Sequence, residues 1–408
     1  MKTQALRNLL WQPFAPSASR LRHLRDHATE PLRVAHIGPT GFKGGVAAVI
    51  EKSCEWLHKE GQEVFLVGNG GPVAERIATL GVKTLDVGRW PCRPSDTVRL
   101  AWKLAKVYKS FRPDIVHVHG RSPAIASRLA GRTPDFFTMH NSMLTERAGL
   151  LDHGWIRNAF SVFGKQVIVL NRRAIRYLNT QFGIDEGDMI LVANGVDCDE
   201  FHAPSPSERR AARAQFGMGD GETMALFVGR LHPQKQPAHL VGLAREIRRQ
   251  KLSGIRIMVV GEGELFDPLS EMIAADNLND ICVLKGWMDP KTAYHAADLL
   301  LMPSLYEGSS VVASESLACG LPVLMTPTGN YEDIILEGFN GFVTRSCSEG
   351  HFVCKAVEIL AAPGQISCMR GQTREWASTH LSLKFLIRRT LGFYRESLGI
   401  QAPTESGV

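Results

Sequence analysis

Residues 33–59 read RVAHIGPTGFKGGVAAVIEKSCEWLHK, and three kinds of backbone follow one another in that stretch. Arg33–Gly38 is a short apolar run stopped by Gly-Pro, the pattern of a buried strand. The loop Gly38-Pro-Thr-Gly-Phe-Lys-Gly44-Gly45 lets backbone N–H groups approach an anion at the start of the next helix. It is neither G-x-G-x-x-G nor a Walker motif, since no G-K-[ST] follows, and by itself it reads equally well as a tight turn. Gly45–Lys59 then carries apolar residues at helical spacing. Strand, glycine loop and helix in that order open a βαβ unit.

The same rhythm runs outward from this stretch. Glu63–Val67, Asp114–Val118, Phe136–Met139, Val167–Leu170 and Ile190–Ala193 read as further strands, with a helix over Leu100–Phe111 among them. Asp197–Ser207, rich in Asp, Pro and Ser, interrupts it. It resumes at Ala225–Val228, Ile255–Val260, Ile281–Leu284, Leu299–Met302 and Pro322–Met325, with helices Pro237–Arg249 and Val311–Cys319 between. Strands alternating with helices predict mostly parallel sheets. At 408 residues the chain exceeds one ordinary core. The expected organisation is a basic leader over 1–30, Rossmann-like domains over 31–200 and 201–380, and a tail over 381–408 whose Leu381–Leu398 forms an amphipathic helix. The fold class is thus α/β, two Rossmann-like domains facing a cleft, with ligands at the carboxyl ends of the strands.

Composition narrows the function. Hydrophobic residues make up 44% and charged residues 22%, as in globular proteins, and no stretch reaches the roughly 20 apolar residues of a membrane span. No secretory run is present either, which predicts a cytoplasmic protein. The eight cysteines are scattered without a C-x-x-C pair, so reduced, buried thiols are expected rather than a disulfide framework or thiolate zinc site. Residues 1–205 hold 27 Lys and Arg against 19 Asp and Glu, whereas the remainder holds 20 against 22. A basic first half suits phosphorylated substrates or an anionic membrane surface. No nucleic-acid-binding motif accompanies it, and no nucleic acid partner is expected.

Two further segments carry chemistry. In Phe227-Val-Gly229-Arg230-Leu-His-Pro-Gln-Lys235 a strand ends on glycine, and two cations stand five residues apart before a helix. That arrangement suits a diphosphate, with Arg230 able to bond it bidentately and Lys235 acting as a point charge. In Pro303-Ser-Leu-Tyr306-Glu307-Gly308-Ser309-Ser310-Val311-Val312-Ala313-Ser314-Glu315 a strand leads through a loop to a helix capped by Ser309 or Ser310. Glu307 stands in the loop and Glu315 one to two turns into the helix. One carboxylate can reach a sugar and the other hydroxyls deeper in the site, while the amides around Val311 and Val312 hold phosphates.

The last segment resembles the E-x7-E signature of retaining glycosyltransferase family 4 (glycosyl transferases group 1), whose fold is the GT-B type. Other positions agree in order. Gly44-Gly45 resembles the family's Gly-Gly loop and Pro113-Asp-Ile-Val-His-Val-His119 its P-D-[IV]-[IV]-H-x-H strand. His140 resembles the histidine of T-x-H, Asn194-Gly-Val-Asp197 with Phe201 the domain junction, and Val228-Gly-Arg230-Leu with Lys235 the phosphate motif. Val260-Gly-Glu-Gly263 and Gly329-Asn-Tyr-Glu332 also fit, so the likeness spans about 33 to 345. The resemblance implies that Arg230 and Lys235 neutralise the donor diphosphate and that Glu307 lies beside the donor sugar. It further implies that Glu315 binds the ribose hydroxyls, that His140 touches the sugar, and that Gly44-Gly45 close over the phosphates. Transfer with retention and without metal follows, the nucleotide sugar (UDP- or GDP-linked) being a co-substrate and no other cofactor being needed.

The chain departs from that pattern at Glu307-Gly-Ser309-Ser310, where E-G-F-G is usual, and at Asn141 and Asn171, where Asp and Ser are common. Asp197-Cys-Asp199 spells a D-x-D metal motif of a different fold but falls in the junction. His117 and His119 share one face of a strand as packing residues. Gly261-Glu-Gly263 is a weak nucleotide hint. Arg99–Lys109 reads as a basic amphipathic helix, which suggests a saccharide or lipid-linked saccharide acceptor at the inner membrane face, in polysaccharide or lipopolysaccharide assembly. The competing readings are a nucleotide-sugar epimerase of this architecture and a catalytically silent nucleotide-sugar-binding partner subunit.

Overall fold

The computed structural model describes residues 30–41, 45–90, 94–140 and 164–400. They form two compact units, one reaching Val192 and taking up the chain again at Lys384, the other Ala193–Leu383. The division precedes the expected boundary near 200, and the junction residue Val196 is anchored within the second unit. Val196 forms a parallel bridge with Ser382, its N–H donating to Leu381 O at 2.8 Å while Leu383 N–H donates back to Val196 O at 2.9 Å.

The first unit holds β1 (Arg33–Ile37), β2 (Glu63–Gly68), β3 (Lys83–Asp86), β4 (Ile115–His119), β5 (Phe136–Met139), β6 (Gln166–Val169) and β7 (Met189–Leu191). These make a parallel sheet in the order β3-β2-β1-β4-β5-β6-β7. Its helices are α1 (Gly45–Lys59), α2 (Gly71–Thr79), α3 (Pro94–Phe111), α4 (Arg121–Leu129) and α5 (Arg172–Phe182). Helices on both faces explain why β4, Ile-Val-His-Val-His, is buried along its whole length, as parallel strands are. Asn171 is the N-cap of α5, accepting from Ala174 N–H at 2.8 Å, so this departure from the family pattern has a structural role.

The second unit holds β8 (Thr223–Val228), β9 (Ile255–Val260), β10 (Cys282–Gly286), β11 (Leu299–Met302), β12 (Val323–Met325) and β13 (Gly341–Val343). Their order is β10-β9-β8-β11-β12-β13, again parallel. The helices are α6 (Pro206–Gln215), α7 (Ala238–Arg249), α8 (Phe266–Ala275), α9 (Pro290–Ala296), α10 (Val311–Ala318), α11 (Tyr331–Ile334), α12 (Glu349–Leu360) and α13 (Pro363–His380). The period of two along a strand divides its side chains between two cores. Phe227, Val259 and Leu301 join one, and Leu226, Met258 and Leu300 the other.

The expected tail helix is present as α14 (Leu383–Ser397), and it packs into the first unit. Tyr394 is fully buried there, and Arg388 pairs with Glu60. The helix adds Lys384, Arg388, Arg389 and Arg395 against Glu396 to the already basic half. The seven cysteines among the described residues are free. Cys54, Cys282 and Cys319 are buried as expected, but Cys354 and Cys368 are exposed. Among the described residues no single helix is long and apolar enough to cross a membrane.

Candidate active site

In each sheet the strand order reverses once, between β1 and β4 in the first unit and between β8 and β11 in the second. Crossovers leave in opposite directions from that point, so a crevice opens at the carboxyl ends of the two strands. The motifs singled out in the sequence fall at these two points.

In the second unit, β8 runs into Gly229-Arg230 and β11 into the loop Pro303–Ser310. Two hydrogen bonds tie the loops together: Leu305 N–H donates to Gln234 O at 2.8 Å, and Gln234 Nε2 donates to Tyr306 O at 3.0 Å. His232 caps the intervening turn, accepting from Gln234 N–H. This lacing brings Lys235 to Glu307, with Nζ 2.5 Å from Oε1. Ser304 Oγ donates to the same oxygen at 2.6 Å. Glu307 is buried, whereas Arg230 is exposed and has no ion pair among the described residues. The sequence reading gives the diphosphate a bidentate Arg230 and a point charge at Lys235; their environments differ as well. Lys235 is paired with a buried carboxylate, whereas Arg230 has no such partner among the described residues.

Behind this loop, Gly261 takes φ +145°, and a Cβ on it would lie 1.9 Å from Gly229 O. The absent side chain lets Val260-Gly-Glu-Gly263 back the phosphate loop, Gly229 N–H donating to Val260 O and Leu231 N–H to Glu262 O at 3.0 and 2.8 Å. Gly261 thus supports Arg230 through the backbone, a role the weak nucleotide hint does not capture.

Ser310 is the N-cap of α10, accepting from Ala313 N–H. Its own N–H donates to Asn330 Oδ1 at 3.1 Å, and Asn330 Nδ2 donates to Ser309 Oγ at 3.3 Å. The serines that replace the usual E-G-F-G residues therefore form a network with Asn330, and Val311 and Val312 open the helix as expected. Gly329, at φ +62°, passes so close to Glu307 that a Cβ would lie 2.7 Å from its Cβ. One turn further, Glu315 accepts at 2.9 Å from Tyr294 Oη of α9. Burial beside that carboxylate pushes the Tyr294 hydroxyl well up, so it remains a donor. Tyr294 was not singled out from sequence. Arg374 of α13 bonds the carbonyls of Ala318, Phe201 and Cys198 and so fixes the far end of α10 against the junction. In that junction Asp197 Oδ1 accepts the N–H groups of Asp199 and Glu200, making the D-x-D sequence a turn.

In the first unit, the carboxyl ends of β1, β4 and β5 gather four imidazoles. His36 Nδ1 lies 3.1 Å from His119 Nε2, and His119 Nδ1 lies 2.9 Å from His140 Nε2. His117 is engaged on both nitrogens, with Tyr394 Oη and Thr138 Oγ1 each at 2.6 Å. Burial depresses all four: His36 and His140 to about 4, His117 and His119 well below the usual value. They are neutral at physiological pH. Nitrogens of His36, His117 and His119 lie within 4.8 Å of one another, close enough for a metal, but those of His117 and His119 are already hydrogen bonded. The packing role read for His117 and His119 is accompanied by a polar one. Gly44 and Asn141 lie outside the described residues, while Gly45 begins α1.

The chain matches known proteins in both halves. Residues 43–200 match the family described as Glycosyltransferase Family 4, and residues 208–375 match Glycosyl transferases group 1. The D-inositol 3-phosphate glycosyltransferase of Mycobacterium tuberculosis is 27% identical over 429 residues, covering 94% of this chain and 87% of its own. A glycosyltransferase from Rickettsia africae superposes with a TM-score of 0.78 at 20% identity, over 92% of this chain and 100% of that one. The Anabaena protein HepE, in complex with UDP, does so with a TM-score of 0.76 at 17% identity, over 90% and 100%.

Proposed function

Since this chain belongs to the GT-B glycosyltransferases of family 4, we propose that it transfers a sugar from a UDP- or GDP-sugar to a saccharide acceptor with retention of configuration and without a metal. The observation that carries this reading is the pair of anchored carboxylates at one switch point, Glu307 on Lys235 and Glu315 on Tyr294. Arg230 and Lys235 stabilise the charge that grows on the leaving diphosphate, where preorganised cations contribute most. Glu315 binds the ribose hydroxyls. Glu307 lies beside the donor sugar and keeps Lys235 in place, the first-turn amides of α10 hold phosphate, and Gly44-Gly45 close over it. His140 touches the sugar. HepE, a structure of the same fold, is seen with UDP, which supports a uridine nucleotide. Metal independence is supported by the junction aspartate, whose carboxylate is occupied by backbone amides.

The first unit takes the acceptor in this reading, and its basic surface favours an anionic one. On α3, Val98 and Trp102 are exposed and Lys106 lies over the Trp102 ring, an apolar strip edged with cations. Such a face suits an anionic bilayer, hence a lipid-linked saccharide at the inner membrane face, in polysaccharide or lipopolysaccharide assembly. The mycobacterial relative, named for D-inositol 3-phosphate, favours a second acceptor, a small phosphorylated polyol.

The deciding experiment is a thermal-shift screen against UDP, GDP, ADP and their common sugars, with Glu315→Ala as control. A ligand bound only to the folded state adds about 2.7 kcal/mol at 100 times its Kd. A shift with one nucleotide, lost in the control, supports the donor assignment. No shift with any of them overturns it in favour of a silent partner subunit, and release of an epimerised nucleotide sugar without acceptor would point to an epimerase. Transfer to D-inositol 3-phosphate rather than to lipid-linked saccharide, with no flotation on anionic liposomes at low salt, would overturn the membrane acceptor.

A further inference from the structure

Three of the four clustered imidazoles form a continuous chain, His36 to His119 to His140, from the centre of the sheet to a half-buried side chain. A neutral imidazole has one N–H and one acceptor nitrogen. In a chain of neutral imidazoles the direction of one hydrogen bond therefore dictates the next, and only two arrangements exist.

The inner end distinguishes them. His36 is fully buried, and among the described residues its Nε2 has no hydrogen-bond partner. If the chain ran inward, from His140 Nε2–H to His119 and from His119 Nε2–H to His36, the remaining His36 proton would sit on that orphan nitrogen. A buried N–H without an acceptor is among the rarest features of folded proteins, whereas an under-satisfied acceptor is tolerated more often. If the chain runs outward, the orphan is a bare lone pair. His117 does not disturb this choice, because its nitrogens are held by Tyr394 and Thr138.

We propose that His36 and His119 act as positioning residues that set the tautomer of His140: His36 Nδ1–H donates to His119 Nε2, His119 Nδ1–H donates to His140 Nε2, and His140 is left protonated at Nδ1. His140 then meets its ligand as a hydrogen-bond donor and not as a base at Nδ1. Burial keeps all three rings neutral, which the relay requires. The consequence for catalysis rests on the placement of His140 beside the transferred sugar; the tautomer itself does not.

The test is a long-range proton–nitrogen NMR correlation on the full-length protein labelled with nitrogen-15 histidine, assigned with His36→Asn, His119→Asn and His140→Asn variants. The expected spectrum has His36, His119 and His140 each protonated at Nδ1 and bare at Nε2. His119→Leu removes the donor to His140 and is expected to shift its proton toward Nε2. His119→Asn is expected to preserve the tautomer, since the asparagine amide can occupy the position of the histidine Nδ1. A wild-type spectrum with His140 protonated at Nε2 overturns the relay. So does stoichiometric Zn²⁺ moving the His36, His117 and His119 signals together, which would make them metal ligands. In steady-state kinetics His119→Leu is expected to lower kcat about fivefold to tenfold, the worth of one hydrogen bond, with KM for the donor little changed and kcat restored in His119→Asn. The expected tautomers with unaltered kinetics would leave the relay standing and overturn the placement of His140 at the sugar.

Discussion

The two sheets share one plan, a parallel order that reverses between the first and fourth strand of each unit. Their switch points hold opposite chemistry. In the first unit, three neutral imidazoles bond to one another and a fourth to Thr138 and Tyr394. In the second, two carboxylates are anchored, Glu307 by Lys235 and Ser304 and Glu315 by Tyr294, beside an exposed Arg230. Topology decides where a ligand is met; the side chains at the strand ends decide what it meets. A neutral, hydrogen-bonding half suits hydroxyl groups, and a charged half suits a diphosphate that gains charge as its bond breaks.

The largest effect expected from this contrast belongs to Lys235. Lys235→Ala is expected to lower kcat by about 10²- to 10³-fold, the loss typical of one electrostatic group acting on the transition state. Because Lys235 also balances Glu307, the double variant Lys235→Met/Glu307→Gln separates the two roles in steady-state kinetics. Activity restored in the double variant would reduce the pair to a structural contact and remove the charge contrast between the units.

Gly261→Ala comes next. The added methyl would fall on Gly229 O at a φ of +145°, and strained backbone alone costs about 1–3 kcal/mol. The expected outcome is a lower melting temperature together with weaker UDP binding by calorimetry, since the displaced loop carries Arg230. Lost stability with unchanged UDP affinity would show that the glycine serves the core and not the site.

Acid should divide the units. Above pH 6.5 neither folded nor unfolded His36 carries a proton. From 6.5 down to about 4 the unfolded ring binds a proton that the buried ring refuses. Stability therefore falls as pH falls through that window, by about 1.4 kcal/mol per pH unit for this one histidine, and levels off below it. Hydrogen exchange read segment by segment should show β1, β4 and β5 losing protection before β8 and β11. Equal loss in both sheets between pH 6.5 and 5 would contradict the assignment of the cluster of neutral, proton-refusing imidazoles to the first unit.

Much of this contrast was legible in the sequence, and the illegible part has definite physical causes. The strands that read clearly, such as Phe136–Met139 and Ile255–Val260, are interior and mostly apolar. The two that did not, β3 (Lys-Thr-Leu-Asp) and β13 (Gly-Phe-Val), are edge strands of four and three residues, where one flank needs no apolar cover. Arg230, Lys235, Glu307 and Glu315 stood out because spacing from a strand end or helix start places them in the crevice. Tyr294 did not, since nothing in Ala-Tyr-His-Ala (293–296) tells that the hydroxyl will meet a carboxylate 21 positions away. The histidine chain was half legible: alternation puts His117 and His119 on one face, but joining them to His36 needs the β1–β4 register. The tail helix read correctly as amphipathic, and only the partner of its apolar face was hidden.

The smallest effect is the most discriminating, because each unit uses a fully buried tyrosine to orient a switch-point residue. Tyr294 donates to a carboxylate, and hydrogen bonds to charged groups contribute about 1.5–3 kcal/mol. Tyr394 meets a neutral imidazole, where the contribution is about 0.5–1.5 kcal/mol. Tyr294→Phe should therefore weaken UDP binding about tenfold by letting Glu315 drift from the ribose. Tyr394→Phe should leave UDP affinity unchanged and lower stability by about 1 kcal/mol, measured by denaturant titration. The two substitutions remove the same atom from equally buried rings, so packing alone predicts equal effects on both quantities. Equal effects would mean that the charge at the second switch point does not govern the nucleotide, and the contrast between the units would lose its functional meaning.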